Sequence, residues 1–248
     1  ARDAVEAAEA ALRARDATID RIRLRVAAAE AVRDGAKITM KQFAIDLDEG
    51  EFDIPTILII GTSMSAGKTV TGRRVCEILS KAGLNIVGAK LTGAGRYRDV
   101  VSFRRAGAQT IFDFVDVGLP STVVHEEEFR EAIRPLLSHI GSLRPDYLVA
   151  ETGASPLEPY NGETAIRELG DRIRCIVLCA SDPYAVVGVK TAFNLHPDFV
   201  AGPATATAAA TALVRRLSGL YALDLTDRGN MAPLRRLLSD RLGIAIPS

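Results

Sequence analysis

Tryptophan is absent from this chain and aromatic residues make up only 5% of it. Any large core must therefore be built from aliphatic side chains, the material of parallel strands buried on both faces. Net charge is lacking too, because 31 basic residues balance 31 acidic ones. That balance argues against a generic binder of nucleic acid or of an anionic membrane surface. No run of roughly 18 apolar residues is present to cross a bilayer, and no charged, apolar, small-residue series suggests a signal peptide. Cysteine is scarce: Cys76, Cys175 and Cys179 form no CxxC pair. They read as reduced core thiols of a cytoplasmic protein, not as metal ligands. His125, His139 and His196 share no ligand spacing and are expected at the surface or in packing.

What is present is apolar patterning. Of the 248 residues 48% are hydrophobic, enough for one large domain or one domain with an appendage. Residues 1–34 contain neither Pro nor Gly. Val5, Leu12, Ile19 and Val26 recur every seven positions, with Ala8, Ile22 and Ala29 three further on and Arg15 interrupting the seam. This predicts a long helix, either a dimerising coiled coil or a helix laid along its own domain. Residues 35–55 read as a connecting strand or hairpin. From residue 56 to 248, short apolar runs ("TILIIG", "NIVGAKL", "TIFDFV", "DYLVAE", "CIVLCA", "DFVAG", "YALDL") alternate with helical stretches such as 68–82, 126–140, 183–194 and 205–217. The expected fold class is α/β, a mainly parallel sheet with helices on both faces.

The first apolar run is followed by "GTSMSAGKT" at 61–69 and then by a helical stretch. Strand, glycine-containing loop and helix in that order make a phosphate cradle. Small residues (Gly61, Ser63, Ser65, Ala66, Gly67) let main-chain N–H groups turn inward around an anion, and the helix start adds its positive end. Lys68 brings a full charge, and the Thr69 hydroxyl is placed to ligate Mg²⁺. Thr62 and Val70 complete the nucleotide-binding stretch.

In a parallel sheet the carboxyl ends of the strands converge on the ligand crevice, so residues just after the other strands matter next. Lys90 ends the second apolar run, ahead of Thr92, Arg96 and Arg98, and is expected to reach an anionic substrate or a transferring phosphoryl group. Arg96, Arg98, Arg104 and Arg105 either bind a carboxylate or phosphate substrate or coat a helix. Glu151 ends the fourth run and is expected to ligate Mg²⁺ or orient a nucleophile. Asp99 is a helix cap or a further metal ligand, and one of Asp113 and Asp116 is expected to face the site. The "AGPATAT" loop is the expected base contact, and the absence of an N-K-x-D motif leans towards adenine.

Taken together these motifs resemble the dethiobiotin synthetase and cobyrinic acid amide synthase branch of P-loop NTPases. "GTSMSAGKT" is similar to that family's GTDTxVGKT loop, "AKLTGAG" to its K-P-V-x-[ST]-G motif, and "VAETGAS" to its V-E-G-A-G-G turn. Ser63 stands at the loop aspartate and Leu91 at the proline. A looser resemblance extends to the P-loop family that contains D-glutamate N-acetyltransferases, in which "DFVDVGLPSTV" would be the substrate segment. The first resemblance implies ATP and Mg²⁺ held by Gly61 to Thr69, with Glu151 and Asp99 in the metal shell. Lys68, Lys90 and Glu151 would be catalytic, and Lys90, Thr92, Arg96 and Arg98 would contact a small-molecule substrate. The expected activity is an ATP-dependent ligase that activates a carboxylate or carbamate and then forms an amide-type bond, in a homodimer. The alternatives are an acyltransferase cradling the diphosphate of acetyl-CoA, and a nucleotide-dependent switch or assembly protein.

Overall fold

The computed structural model describes residues 39–193 and 195–247. The chain divides at Phe43 into two units, and the described residues from Phe43 on make up the second. The heptad pattern of 1–34 lies outside the described residues. The stretch 39–55, expected as a strand or hairpin, holds one turn of 3-10 helix at Met40–Phe43 and no strand. Its main-chain groups go to a helix instead: the Asp48 N–H donates to His139 Nδ1 at 2.9 Å and the Gly50 N–H to Ser138 Oγ at 2.8 Å. His139 also packs edge-on against Phe112, a packing histidine as expected.

The second unit is a seven-stranded, all-parallel sheet. Its strands are β1 (Thr56–Gly61), β2 (Ile86–Thr92), β3 (Thr110–Asp113), β4 (Tyr147–Thr152), β5 (Ile173–Cys179), β6 (Phe199–Ala201) and β7 (Tyr221–Ala222), in the order β3-β2-β4-β1-β5-β6-β7. Between them run α1 (Lys68–Lys81), α2 (Tyr97–Arg105), α3 (Glu126–Ser142), α4 (Gly162–Leu169), α5 (Pro183–Phe193) and α6 (Ala208–Ser218), with α7 (Met231–Leu242) last. β3 stops at Asp113, where the chain tightens into a 3-10 turn at Phe114–Val117. Among the described residues no helix is long and apolar enough to cross a membrane.

Alternation along the strands sorts the core into two layers. Leu58, Ile60, Val87, Ala89, Leu148 and Ala150 point to the side covered by α3, α4, α5 and α6. Ile57, Ile59, Ile86, Val149, Val177 and Phe199 point to the side covered by α1, α2 and α7. On that second side, Phe103 of α2 wedges between α1 and the sheet. A Cβ at Gly72 of α1 would lie 2.4 Å from its ring, so only glycine lets the two helices close. Burying such a ring contributes roughly 1.5–3 kcal/mol.

The topology places the crevice. Connections after β1 and β2 leave towards α1 and α2 on one face. Those after β4 and β5 leave towards α4 and α5 on the other, all consistent with right-handed crossovers. Neighbouring strands β1 and β4 therefore send their chains to opposite sides and open a gap at their carboxyl ends, the usual place for a ligand.

Candidate functional site

A cavity of about 300 Å³ occupies that gap, walled by Met64, Ser65, Gly67 to Val70, Lys90, Gly93, Ala94, Arg96, Arg98, Asp99, Glu151, Gly153, Ala154 and Tyr160. The loop from Gly61 to Gly67 is shaped by its glycines. Gly67 precedes α1 with φ +93°, and a Cβ there would stand 3.1 Å from Gly202 Cα in the loop after β6. No side chain caps α1 and no acidic residue sits in its first turn. By contrast α6 has its first turn closed by Thr207, whose hydroxyl accepts from the Ala210 N–H at 3.1 Å. The open first turn of α1 leaves its N–H groups and the helix dipole to an anion in the cavity.

Lys68 is only 3% exposed. Two of its three ammonium protons go to main-chain carbonyls, Ser63 O at 2.7 Å and Ala154 O at 3.0 Å. Burial lowers its pKa, and Glu151 is the main group opposing that shift. Glu151, also 3% exposed, accepts from the Thr69 hydroxyl at 3.3 Å. Burial pushes its carboxyl up to about 7 against the pull of Lys68 and Lys90.

Lys90 forms the second cationic wall. It is 4% exposed, donates to Ala94 O at 2.8 Å and pairs with Asp99 Oδ2 at 2.8 Å. In the ladder it stands between Asp113 of β3 and Glu151 of β4, and registered residues of a parallel sheet share a face. Asp113 therefore joins Lys90 and Glu151 on the α1 side, and burial pushes its carboxyl up to about 6. Asp116 instead turns back to accept the Asp113 N–H at 2.7 Å.

The structure brings together the expected Lys68, Thr69, Lys90, Glu151, Ser65, Gly67, Val70, Arg96 and Arg98 around one cavity. It places others differently. Thr92, expected to touch substrate, is wholly buried and donates to Gly153 O at 3.4 Å. The Thr62 hydroxyl accepts the Ser181 N–H at 3.0 Å, tying the loop to the start of α5. Ser63 acts through its carbonyl, Ala66 is buried, and Gly61 makes room for Lys68, whose Nζ would lie 2.7 Å from a Cβ. Arg104, at the far end of α2, donates to Gln109 O, and it and Arg105 stand outside the cavity wall. Asp99 lines the cavity, and its carboxylate is paired with Lys90. Among the described residues no three of His, Cys, Asp and Glu gather as a metal cluster. Thr69 and Glu151 nevertheless fit Mg²⁺, a hard cation that keeps several waters and takes one or two protein oxygens plus phosphate.

Sequence reasoning left out Ala94, Gly153, Ala154 and Tyr160. Ala154 is the most consequential, since its carbonyl holds Lys68 while its backbone sits at φ +55°, a left-handed conformation uncommon outside glycine.

No protein-family model matches the chain, and no curated protein matches it in sequence. Among solved structures it is similar to chloroplast FtsY from Physcomitrella patens, at 16% identity and a TM-score of 0.45 over 74% of this chain and 62% of that one. It is also similar to the hydrogenase maturation factor HypB from Archaeoglobus fulgidus, at 13% identity and a TM-score of 0.49 over 77% of this chain and 91% of that one. FtsY from Elizabethkingia anophelis in complex with GDP is a third, at 12% identity and a TM-score of 0.44 over 74% and 60%. The chain thus spans about 60% of the FtsY structures it matches. Identities this low speak to the fold alone.

Proposed function

We propose that the chain binds a Mg²⁺-nucleoside triphosphate in the loop 61–69 and works as a nucleotide-dependent protein. The observation that carries this reading is Lys68: a buried ammonium, held by two carbonyls at the floor of a cavity beside the uncapped start of a helix. Such an ammonium and such a helix start both favour negative charge, and a phosphate chain satisfies both at once. Thr69 and Glu151 would hold the cation, which, when bound, neutralises charge on the phosphate oxygens. Lys90 would face the γ-phosphoryl group from the opposite wall. The exposed Arg96 and Arg98 would meet the group that answers to it.

Two finer readings share this machinery. In the switch reading the nucleotide state alters an assembly, and the cavity needs only to distinguish triphosphate from diphosphate. In the ligase reading a small acceptor carboxylate or carbamate takes the phosphoryl group. The comparisons give ligase activity no support, and the resemblance to dethiobiotin synthetase stays at the level of motifs. What favours chemistry on an acceptor is Lys90, a cation buried at 4% exposure in the same cavity, placed where positioning and charge stabilisation would act. The nucleobase is expected against the loop after β6, which adjoins Gly67.

The test is the thermal stability of wild type, Lys68→Ala and Lys90→Ala with Mg·ATP, Mg·GTP and acetyl-CoA. A triphosphate at 100 times its dissociation constant should stabilise the wild type by about 2.7 kcal/mol and do nothing for Lys68→Ala. Stabilisation by acetyl-CoA and by neither triphosphate would overturn the reading in favour of a CoA-diphosphate cradle. Lys90→Ala separates the finer readings: a switch keeps nucleotide-dependent assembly without Lys90, whereas a ligase binds nucleotide but loses turnover.

A further inference from the structure

The segment between β3 and α3, which contains "GLPSTVV" at 118–124, contributes no side chain to the cavity wall. Its Thr122 is nevertheless wholly buried, and every polar group it has is spent on two other loops. The Thr122 hydroxyl accepts the Gly93 N–H at 2.8 Å and donates to Tyr160 O at 2.7 Å. Its own N–H donates to Gly93 O at 3.1 Å, and its carbonyl accepts from the Asn161 side-chain amide at 2.9 Å. Asn161 reaches on to Val124 O at 2.9 Å and sits at φ +59°, and Ala94 bridges to Ser121 beside it.

The loops held in this way are the two that carry the cavity's second wall. The loop after β2 supplies Gly93, Ala94 and Arg96 and leads into α2 with Arg98, and the Ala94 carbonyl is one of the two anchors of Lys90 Nζ. The loop after β4 supplies Gly153, Ala154 and Tyr160, and the Ala154 carbonyl anchors Lys68. A hydroxyl can accept and donate at once, so a single buried threonine joins both loops where an apolar residue would orphan a donor on one and an acceptor on the other.

From this geometry we infer that Thr122, seconded by Asn161, is a positioning residue. It locks the loops after β2 and β4 to each other so that Lys90 stays aimed into the cavity opposite the loop 61–69. It touches no ligand itself. As a role in nucleotide chemistry this rests on the reading proposed above. As a statement about which loops Thr122 orders, it does not.

The experiment compares wild type with Thr122→Val, Thr122→Ser and Asn161→Gly. Thr122→Val keeps the shape and removes the hydroxyl. Amide hydrogen exchange should accelerate at least tenfold in 93–99 and 153–161 while β1 and α1 exchange as in wild type, and Thr122→Ser should restore the slow rates. Should Thr122→Val fail to fold, Asn161→Gly carries the test, since it removes only the amide tethers and suits a positive φ. It should loosen the same two segments. With nucleotide, binding of Mg·ADP should stay within threefold of wild type. Turnover of the triphosphate should fall at least tenfold in kcat with little change in KM, because Lys68 keeps its anchor on the Ser63 carbonyl while Lys90 loses the fixed loop that carries Ala94. Unchanged exchange in the two segments, acceleration spread evenly over the chain, or failure of serine to rescue would each overturn the inference. A wild type that binds no nucleotide would overturn the proposed function and leave the exchange result to decide the role of Thr122.

Discussion

On one face of the sheet, α3 to α6 meet the strands through apolar side chains from end to end, with Phe129, Ile133, Leu136 and Ile140 as the centre of the packing. On the other face α1, α2 and α7 do the same around Phe103, Val75 and Leu234. At the carboxyl ends of the strands, however, the apolar residues there give way to Lys68, Lys90, Asp113 and Glu151, and all the buried charged residues described, Arg74 included, lie on this side. One face is assembled from groups whose burial stabilises, and the other adds groups whose burial costs free energy. Apolar packing on both faces holds the fold, and the carboxyl end of the second face uses that stability to keep charges out of water.

The comparison predicts different responses to substitution. Phe129→Ala on the apolar face should lower stability by about 3–5 kcal/mol in denaturant unfolding, with nucleotide affinity of the folded protein within threefold of wild type. Loss of affinity in step with stability would mean that the two faces are not separable. Asp113→Asn on the charged face should act in the opposite direction. The Asp113 carboxyl is raised from the ordinary 3.8 to about 6, so between those values the folded chain keeps a proton that the unfolded chain releases. Stability therefore falls as pH rises through that window. The asparagine variant should match wild type near pH 4 and exceed it by as much as about 3 kcal/mol at pH 8. Melting curves at the two pH values check this, and an Asn variant less stable at pH 8 would show that Lys90 needs the charge. The smallest effect should come from Thr207→Ala, which removes the side-chain cap of α6 and should cost about 1 kcal/mol with no effect on ligand binding.

How much of this was legible along the chain depended on sequence distance. The cradle was readable because strand, loop, Lys68 and helix are contiguous, and a local arrangement of glycines and a helix start needs little from elsewhere. The α/β class was readable because aliphatic runs alternate with helical stretches. Lys90 and Glu151 were singled out by a rule about strand ends, and the strand order sets β2, β4 and β1 side by side. The same rule failed for Thr92, because it states where a strand stops and not which way its last side chain points. Arg104 and Arg105 follow the second of the two readings open to them, coating α2 outside the cavity wall. The expected strand within 35–55 did not form among the described residues, since its main-chain groups found Ser138 and His139 of α3 instead.

The sequence by itself determined that the chain folds as an α/β sandwich and that residues 61–69 form a loop suited to phosphate, because hydrophobic period and local backbone chemistry act over a few residues. Only the tertiary structure decided that Asp113 stands beside Lys90, that Asp99 pairs with Lys90, that a strained Ala154 holds Lys68, and that Thr122 joins two distant loops. Apart from the Lys90–Asp99 ion pair, which spans nine residues, those relations are hydrogen bonds and ladder registers between segments tens of residues apart. They exist only once the strand order has brought the segments to one edge and the water has been removed.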